Sequence, residues 1–396
     1  MLPDIKKVVI NEIDKEKERY YELSKKLYQN PELGLREYKA SKFLTSELEK
    51  NGFKIENCFM KIETAFKGEF VGNAESPTIA LLAEYDALPE IGHGCGHNFI
   101  AISTLAAALA VSKAMKNLDG KLIIIGTPDE EGTAKGSKDS KSKVKMVNNG
   151  VFDNIDAVIE IHPYPKNAVD AKFLALDAIE IIFRGKAAHA AASPEKGINA
   201  LDAVIQTFNG INALRQHLRG DHRIHGIVTN GGKAPNIVPE KAAAFFFIRS
   251  ADREYSNLLL KRIKACAEGA ASATGAKLTF KILPNSLESM KTNITLSRIF
   301  EKNLIDLGSK MEELNEYEGK GSSDIGNVSQ VVPTIHPFVS VGSKNVVLHS
   351  REFAEATISK SGLEAMIIAS KAIAMTCVEL FYNHKIIEDA KEEFQN

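Results

Sequence analysis

A chain of 396 residues with 44% hydrophobic and 26% charged side chains has the balance of a globular protein long enough for more than one domain, which excludes a disordered polymer or a disulfide-stapled miniature. Lys and Arg number 50 against 51 Asp and Glu, so no net field draws the chain to nucleic acid or to an anionic membrane, and a small or neutral partner is favoured. Met1-Leu2-Pro3-Asp4 runs straight into charged residues, no run of about 18 apolar residues is evident, and Cys58, Cys95, Cys266 and Cys377 lack paired spacing, a combination that points to the reducing cytoplasm rather than to export.

Apolar positions at helical intervals predict surface helices over 4–28 and 37–51, separated by the turn Asn30-Pro31-Glu32-Leu33-Gly34. Strands are predicted at 78–85, 121–126 and 157–161, with an Ala-rich helix over 99–117 between the first two, an alternation that predicts parallel strands with helices on their faces. From 174 to 283 the order becomes strand 178–184, helix 198–218, strands 224–229 and 242–248, helix 252–273 and strand 277–283, one compact α+β domain. The remainder carries a helix near 294–307, a strand near 334–341 and a long helix over 358–383. The expected fold is therefore α/β: residues 1–173 and 284–396 form one domain with a mixed sheet flanked by helices, and 174–283 is an inserted domain. A ligand site is expected in the cleft between them. Lys135 to Lys145, rich in Lys and Ser, reads as a solvated loop.

The chemistry concentrates after the predicted strands. Ala83-Glu84-Tyr85-Asp86-Ala87-Leu88-Pro89 leads into Gly92-His93-Gly94-Cys95-Gly96-His97-Asn98. In an extended loop, residues two apart project to one side, so Cys95 and His97 can reach a common point, and a thiolate with an imidazole suits zinc. The glycines at 92, 94 and 96 let the backbone curl around that point. Gly126-Thr127-Pro128-Asp129-Glu130-Glu131-Gly132 follows the next strand; neighbouring carboxylates point different ways, so one can bind metal while the other faces the attacking water. Taken alone, such a turn is equally a solvated loop or a helix cap. The predicted strand 157–161 ends in His162-Pro163, and His349 lies in Leu348-His349-Ser350-Arg351-Glu352-Phe353; each single histidine is also compatible with a structural hydrogen bond.

These motifs, with Gly185-Lys186-Ala187-Ala188-His189, Pro235-Asn236-Ile237-Val238-Pro239 and Gly321-Ser322-Ser323-Asp324, run in order through nearly the whole chain. It resembles the aminoacylase and carboxypeptidase superfamily of dinuclear metallohydrolases, in particular the amidohydrolase branch with p-aminobenzoyl-glutamate hydrolase and aminoacylase-like dipeptidases. The resemblance implies a hydrolase-like catalytic domain with an inserted ferredoxin-like lid and dimerisation domain. It implies two divalent ions, zinc or manganese, held by Cys95, His97, Glu131, His162 and His349, with Cys95 as the bridge. Glu130 matches the general base, and Asp86 the carboxylate that orients a ligand imidazole. His189 matches a histidine that reaches into the neighbouring subunit's site, and Asn236 and Arg249 match residues that hold substrate. The implied reaction is hydrolysis of the amide bond of an N-acyl amino acid, an aminobenzoyl-glutamate-like compound or a dipeptide by a homodimer.

Two departures stand out. Thr133 to Lys145 is longer and more Lys- and Ser-rich than the glycine-rich connection usual in this position, and Ser350-Arg351 replaces the commoner pairing after the last histidine. A catalytically silent, metal-stabilised scaffold and an aminopeptidase that needs a free α-amine are the competing readings. Retention of both Glu130 and Glu131 argues against the silent form.

Overall fold

The computed structural model describes residues 2–134, 137–315, 318–319 and 321–396. The chain divides into two compact units, the first comprising Met1–Lys172, Met290–Lys320 and Asn327–Asn396, the second Phe173–Ser289 and Gly321–Gly326. In chain order the strands are β1 (Lys54–Asn57), β2 (Phe66–Val71), β3 (Thr78–Ala83), β4 (Lys121–Gly126), β5 (Ala157–Ile159), β6 (His162–Tyr164), β7 (Ala175–Arg184), β8 (Arg223–Asn230), β9 (Lys241–Ser250), β10 (Lys277–Ile282), β11 (Thr334–Ile335) and β12 (Phe338–Ser340).

The first unit is built on a mixed sheet in the order β1-β2-β4-β3-β5-β11. Strands β4, β3, β5 and β11 run parallel, and β1 and β2 form an antiparallel edge. All of β3 is buried, as unbroken apolar runs are when both faces of a parallel sheet are covered. Parallel strands place their carboxyl ends along one edge, so Glu84, Thr127, Glu160 and His336, each the first residue after its strand, share that edge.

Several expectations need correction. The segments His97–Asn117 and Lys360–Tyr382 are long and apolar enough to cross a membrane, against the expectation that no such run exists, yet 94% and 72% of their apolar windows are buried. They pack against each other as core helices. The strand predicted over 157–161 stops at Ile159, and the one predicted over 334–341 splits around His336-Pro337, because proline has no N–H for the ladder. The freed pieces, β6 and β12, pair as a separate parallel ribbon. The first predicted helix is two, Leu2–Lys15 and Lys17–Gln29, whereas the long helix predicted over 358–383 is found as Lys360–Tyr382, flanked by Arg351–Ile358 and His384–Gln395, which were not expected. Of the stretch read as a solvated loop, 135 and 136 lie outside the described residues, whereas Ser142–Asn148 is a helix and Lys143 is fully buried.

The second unit is an antiparallel sheet in the order β10-β7-β9-β8, with helices Ala200–Arg215 and Arg253–Thr274 packed together in its core. Burial alternates along β7, as it does when one face is covered. Strand β8 is an edge strand, and its Ile227 is 64% exposed.

The turn at Asn30–Gly34 buttresses the acidic turn that follows β4. Gly34 N–H donates to Thr133 Oγ1 at 2.8 Å, and Asp129 N–H donates to Glu37 Oε1 at 2.9 Å. Asp129 holds a left-handed φ of 56°, so these contacts fix a strained residue directly ahead of Glu130 and Glu131. A Cβ on Gly34 would lie 1.6 Å from Asp129 Oδ1. Gly34→Ala is therefore expected to lose about 1–3 kcal/mol in chemical denaturation. Burial, reinforced by the Asp86 carboxylate, pushes Glu37 up to about 8 from 4.5. A raised folded-state value favours the protonated form, so this stabilisation is complete below the unfolded value and fades as pH rises through 8. Glu37→Gln stays neutral, and its Tm relative to wild type should improve between about pH 5 and pH 9; a pH-independent difference would refute this.

Candidate metal centre

The loop after β3 shapes the centre. Gly96 has φ +80°, and a Cβ there would lie 2.5 Å from Pro163 Cγ, so only glycine permits the turn. This turn corrects the extended-loop expectation: His97 is the first residue of the helix His97–Ala114, and the reversal at Gly96, not a two-residue repeat, brings it beside Cys95. His93, in the same loop, turns away and bonds the Leu27 carbonyl through Nε2 at 3.2 Å.

The five residues expected to hold metal all lie in the first unit and converge. One donor atom each from Cys95, His97 and His162 lie within 4.8 Å of one another; so do donors from Cys95, Glu131 and His349, and from His97, Glu130 and Glu131. Cys95 Sγ is 3.3 Å from His162 Nε2, and Glu131 Oε1 is 3.4 Å from His349 Nε2. Two donors sharing one ion, each about 2.0–2.3 Å from it, stand roughly 3.0–3.5 Å apart. The spacings fit.

Each imidazole is aimed by its other nitrogen or by its backbone. His97 Nδ1 meets Asp86 Oδ1 at 2.7 Å, and Asp86 Oδ2 accepts the Glu131 N–H at 3.0 Å, so one buried carboxylate orients two donors. His162 Nδ1–H donates to the Pro163 carbonyl at 2.7 Å, leaving Nε2 toward Cys95. The His349 N–H donates to the Gly94 carbonyl at 2.9 Å, which ties a backbone with φ 63° to the Cys95 loop, while its side chain stays 54% exposed. His349 thus marks the open side of the cluster.

The electrostatics favour a cation. Burial alone would lower the His97 pKa, but Asp86 and Glu84 outweigh it and hold it well above the usual value. Burial, then Glu131, pushes the Cys95 thiol well up. Burial, then His336, brings His162 down to about 3, leaving a neutral ring suited to ligation. His97 Nε2 and Glu131 Oε1 are buried and have no hydrogen-bond partner. Orphan atoms of these types facing one another are what a bound divalent ion would satisfy. Glu130, the other carboxylate of the turn, is 8% exposed and sits 3.5 Å from Lys141 Nζ.

The remaining expected residues belong to the second unit. His189 Nδ1 accepts the N–H groups of Ala191 and Ala192 at 3.3 and 3.2 Å, which places the ring proton on Nε2. Asn236 adjoins it, its carbonyl accepting the Ala190 N–H at 3.0 Å. Arg249 is elsewhere: it lies on β9, where its Nη1 donates to Ser322 Oγ at 2.9 Å. The eight residue steps from Lys241 to Arg249 span about 26 Å, and Lys241 pairs with Arg184 at the end of the β7–β9 pair that leads to His189, so the unit joins His189 to Asn236 while Arg249 lies at the opposite end of the strand. Sequence reasoning missed Lys143, Glu160 and His336, all buried beside the centre. For Glu160 and His336 the signal was available, since each directly ends a parallel strand as Glu84 does.

Comparison with known proteins agrees with this geometry. Residues 80–367 match Peptidase family M20/M25/M40. The chain is 33% identical to the Xaa-Arg dipeptidase of Mus musculus, over 99% of this chain and 92% of that one. It is 27% identical to a p-aminobenzoyl-glutamate hydrolase subunit of Escherichia coli (strain K12), over 100% and 95% of the respective chains. A dinuclear metal binding peptidase of the M20 family from Bacillus subtilis shares the fold, with a TM-score of 0.73 at 21% identity over 93% of this chain and 99% of that one. The chain belongs to Peptidase family M20/M25/M40 and is a divalent-metal-dependent hydrolase of amide C–N bonds.

Proposed function

We propose that Cys95, His97, Glu131, His162 and His349 hold two divalent cations, zinc or manganese, and that the centre hydrolyses dipeptides, N-acyl amino acids or aminobenzoyl-glutamate-like compounds. The observation that carries this reading is the convergence of three overlapping donor triads, two of which share Cys95. The relatives named for Xaa-Arg dipeptides and p-aminobenzoyl-glutamate support the substrate range. A thiol donor stays available in a reducing compartment, which supports a cytoplasmic location.

When bound, two such ions supply the Lewis acidity that brings a water's pKa toward about 7 and polarises an amide carbonyl. The chain's own groups do the rest. Glu130, whose carboxylate lies within 4.8 Å of the His97 and Glu131 donors, takes the proton of the attacking water and returns it to the departing amine nitrogen. Asp86 keeps His97 and Glu131 in place while charge develops. His189 carries its proton on Nε2 and donates it in a hydrogen bond to the oxyanion. Arg249 pairs with a substrate carboxylate through parallel N–H donors, and Asn236 binds the substrate amide.

The second unit serves as the lid and dimerisation domain on this reading. Arg249 lies about 26 Å along β9 from Lys241, the end of the strand that follows the Asn236 loop, a span too long for one small substrate, which supports His189 and Arg249 of one chain serving different subunits' sites. The exposed edge β8, with Ile227 64% and Val228 46% exposed, supports a homodimer joined there.

Glu130→Gln is expected to keep the metal content of wild type while activity on a panel of Xaa-Arg dipeptides and acyl amino acids falls at least about 100-fold. A variant as active as wild type would remove Glu130 from the reaction. Ile227→Lys with Val228→Lys should shift sedimentation from dimer to monomer and cost about 100-fold or more in activity, the loss of one oxyanion donor. A fully active monomer would reject the shared site.

A further inference from the structure

Behind the donor atoms lies a chain of buried polar groups that links two of the expected ligands. Glu84 Oε2 is 3.3 Å from His97 Nε2, and Glu84 Oε1 accepts a hydrogen bond from Lys143 Nζ at 2.5 Å. Lys143 is 3.5 Å from Glu160 Oε1, Glu160 Oε2 is 3.1 Å from His336 Nδ1, and the His336 ring is centred 5.7 Å from that of His162. Glu84 and Lys143 are completely buried, and Glu160 and His336 are 1% exposed.

Burying a lysine and two carboxylates is costly unless every charge is matched. Lys143 meets that requirement for one oxygen of Glu84 only. Oε2 of Glu84 has no hydrogen-bond partner and faces His97 Nε2, which has none either. Asp86 occupies Nδ1 of His97, so Nε2 is the atom left to bind a cation, and once it does so it cannot donate to Glu84. The 3.3 Å between Nε2 and Oε2 matches the spacing of about 3.0–3.5 Å for two donors on one ion. A Glu84 oxygen also lies within 4.8 Å of a Glu130 oxygen, so the Glu84 carboxylate is close to the acidic turn.

We propose that Glu84 is a further donor to the cation held by His97, and that Lys143 is the positioning residue that anchors its other oxygen. The inference rests on the metal reading above. It gives the Lys-rich segment after the acidic turn a definite role, in which the helix Ser142–Asn148 brings an ammonium into the core so that a carboxylate from the end of β3 turns one oxygen to the metal and one to Lys143.

The test is competition between a chromophoric chelator and metal-free protein for Zn2+. Wild type should bind two ions; Glu84→Gln should weaken one of the two at least about tenfold, a loss of the size expected when a metal site is perturbed. Lys143→Met should weaken the same ion, and Glu84→Gln with Lys143→Met should be no worse than Glu84→Gln alone, because both changes remove one interaction. The Co2+ absorption of Glu84→Gln should change with the loss of a ligand, a readout that mere destabilisation would leave alone. Unchanged Zn2+ affinity and Co2+ spectrum would overturn the role of Glu84 while leaving the metal centre standing; wild type that binds no Zn2+ would overturn both. Should the variants fail to fold, anomalous scattering from Zn2+-loaded wild-type crystals decides: a Glu84 oxygen about 2.0–2.2 Å from an ion supports the assignment, and one beyond about 3 Å refutes it.

Discussion

The constraint on which the first unit depends is electrostatic. The carboxyl edge of β3, β4 and β5 gathers Glu84, Asp86, Glu130, Glu131 and Glu160 together with the thiol of Cys95 around Lys141 and Lys143. So many acidic groups in a poorly solvated space repel one another, and a divalent cation is the most direct way to satisfy them. The raised values of Glu84 and Cys95, each driven first by burial, express that tension. Metal binding and the native arrangement of this edge are therefore coupled.

The rest of the unit holds the tension in place. Asp129, at φ 56°, and His349, at φ 63°, sit in left-handed backbone, and each is fixed by a contact from a distant segment: the Glu37 carboxyl group for the first, the Gly94 carbonyl for the second. Strain of this kind survives only when the surroundings over-determine it. Segments as far apart as Gly34, Gly94 and His349 are thus parts of one device, which explains why the informative motifs are spread through the whole chain.

Much of the centre was legible because its chemistry is local: a cysteine and a histidine around a tight glycine, and two adjacent glutamates after an apolar strand. The positions of β3 and β4 were legible too, since buried parallel strands are plain apolar runs. Strands β1 and β2 were not anticipated, because they are short, partly exposed and carry charged residues. The split of β11 from β12 depends on which partner each piece finds, a non-local choice. Lys143 was hidden for a different reason. Lysines among serines read as solvated, and only the fold reveals that this one meets Glu84 and Glu160 in the core. The separation of Arg249 from His189 likewise follows from the register of β7 and β9.

The central claim is that five side chains between residues 95 and 349 grip a pair of cations. Elemental analysis of the chain, loaded with Zn2+ or Mn2+ and then freed of loosely bound ions by gel filtration, tests it most directly. Two ions per chain is the predicted result; one or none would contradict the account.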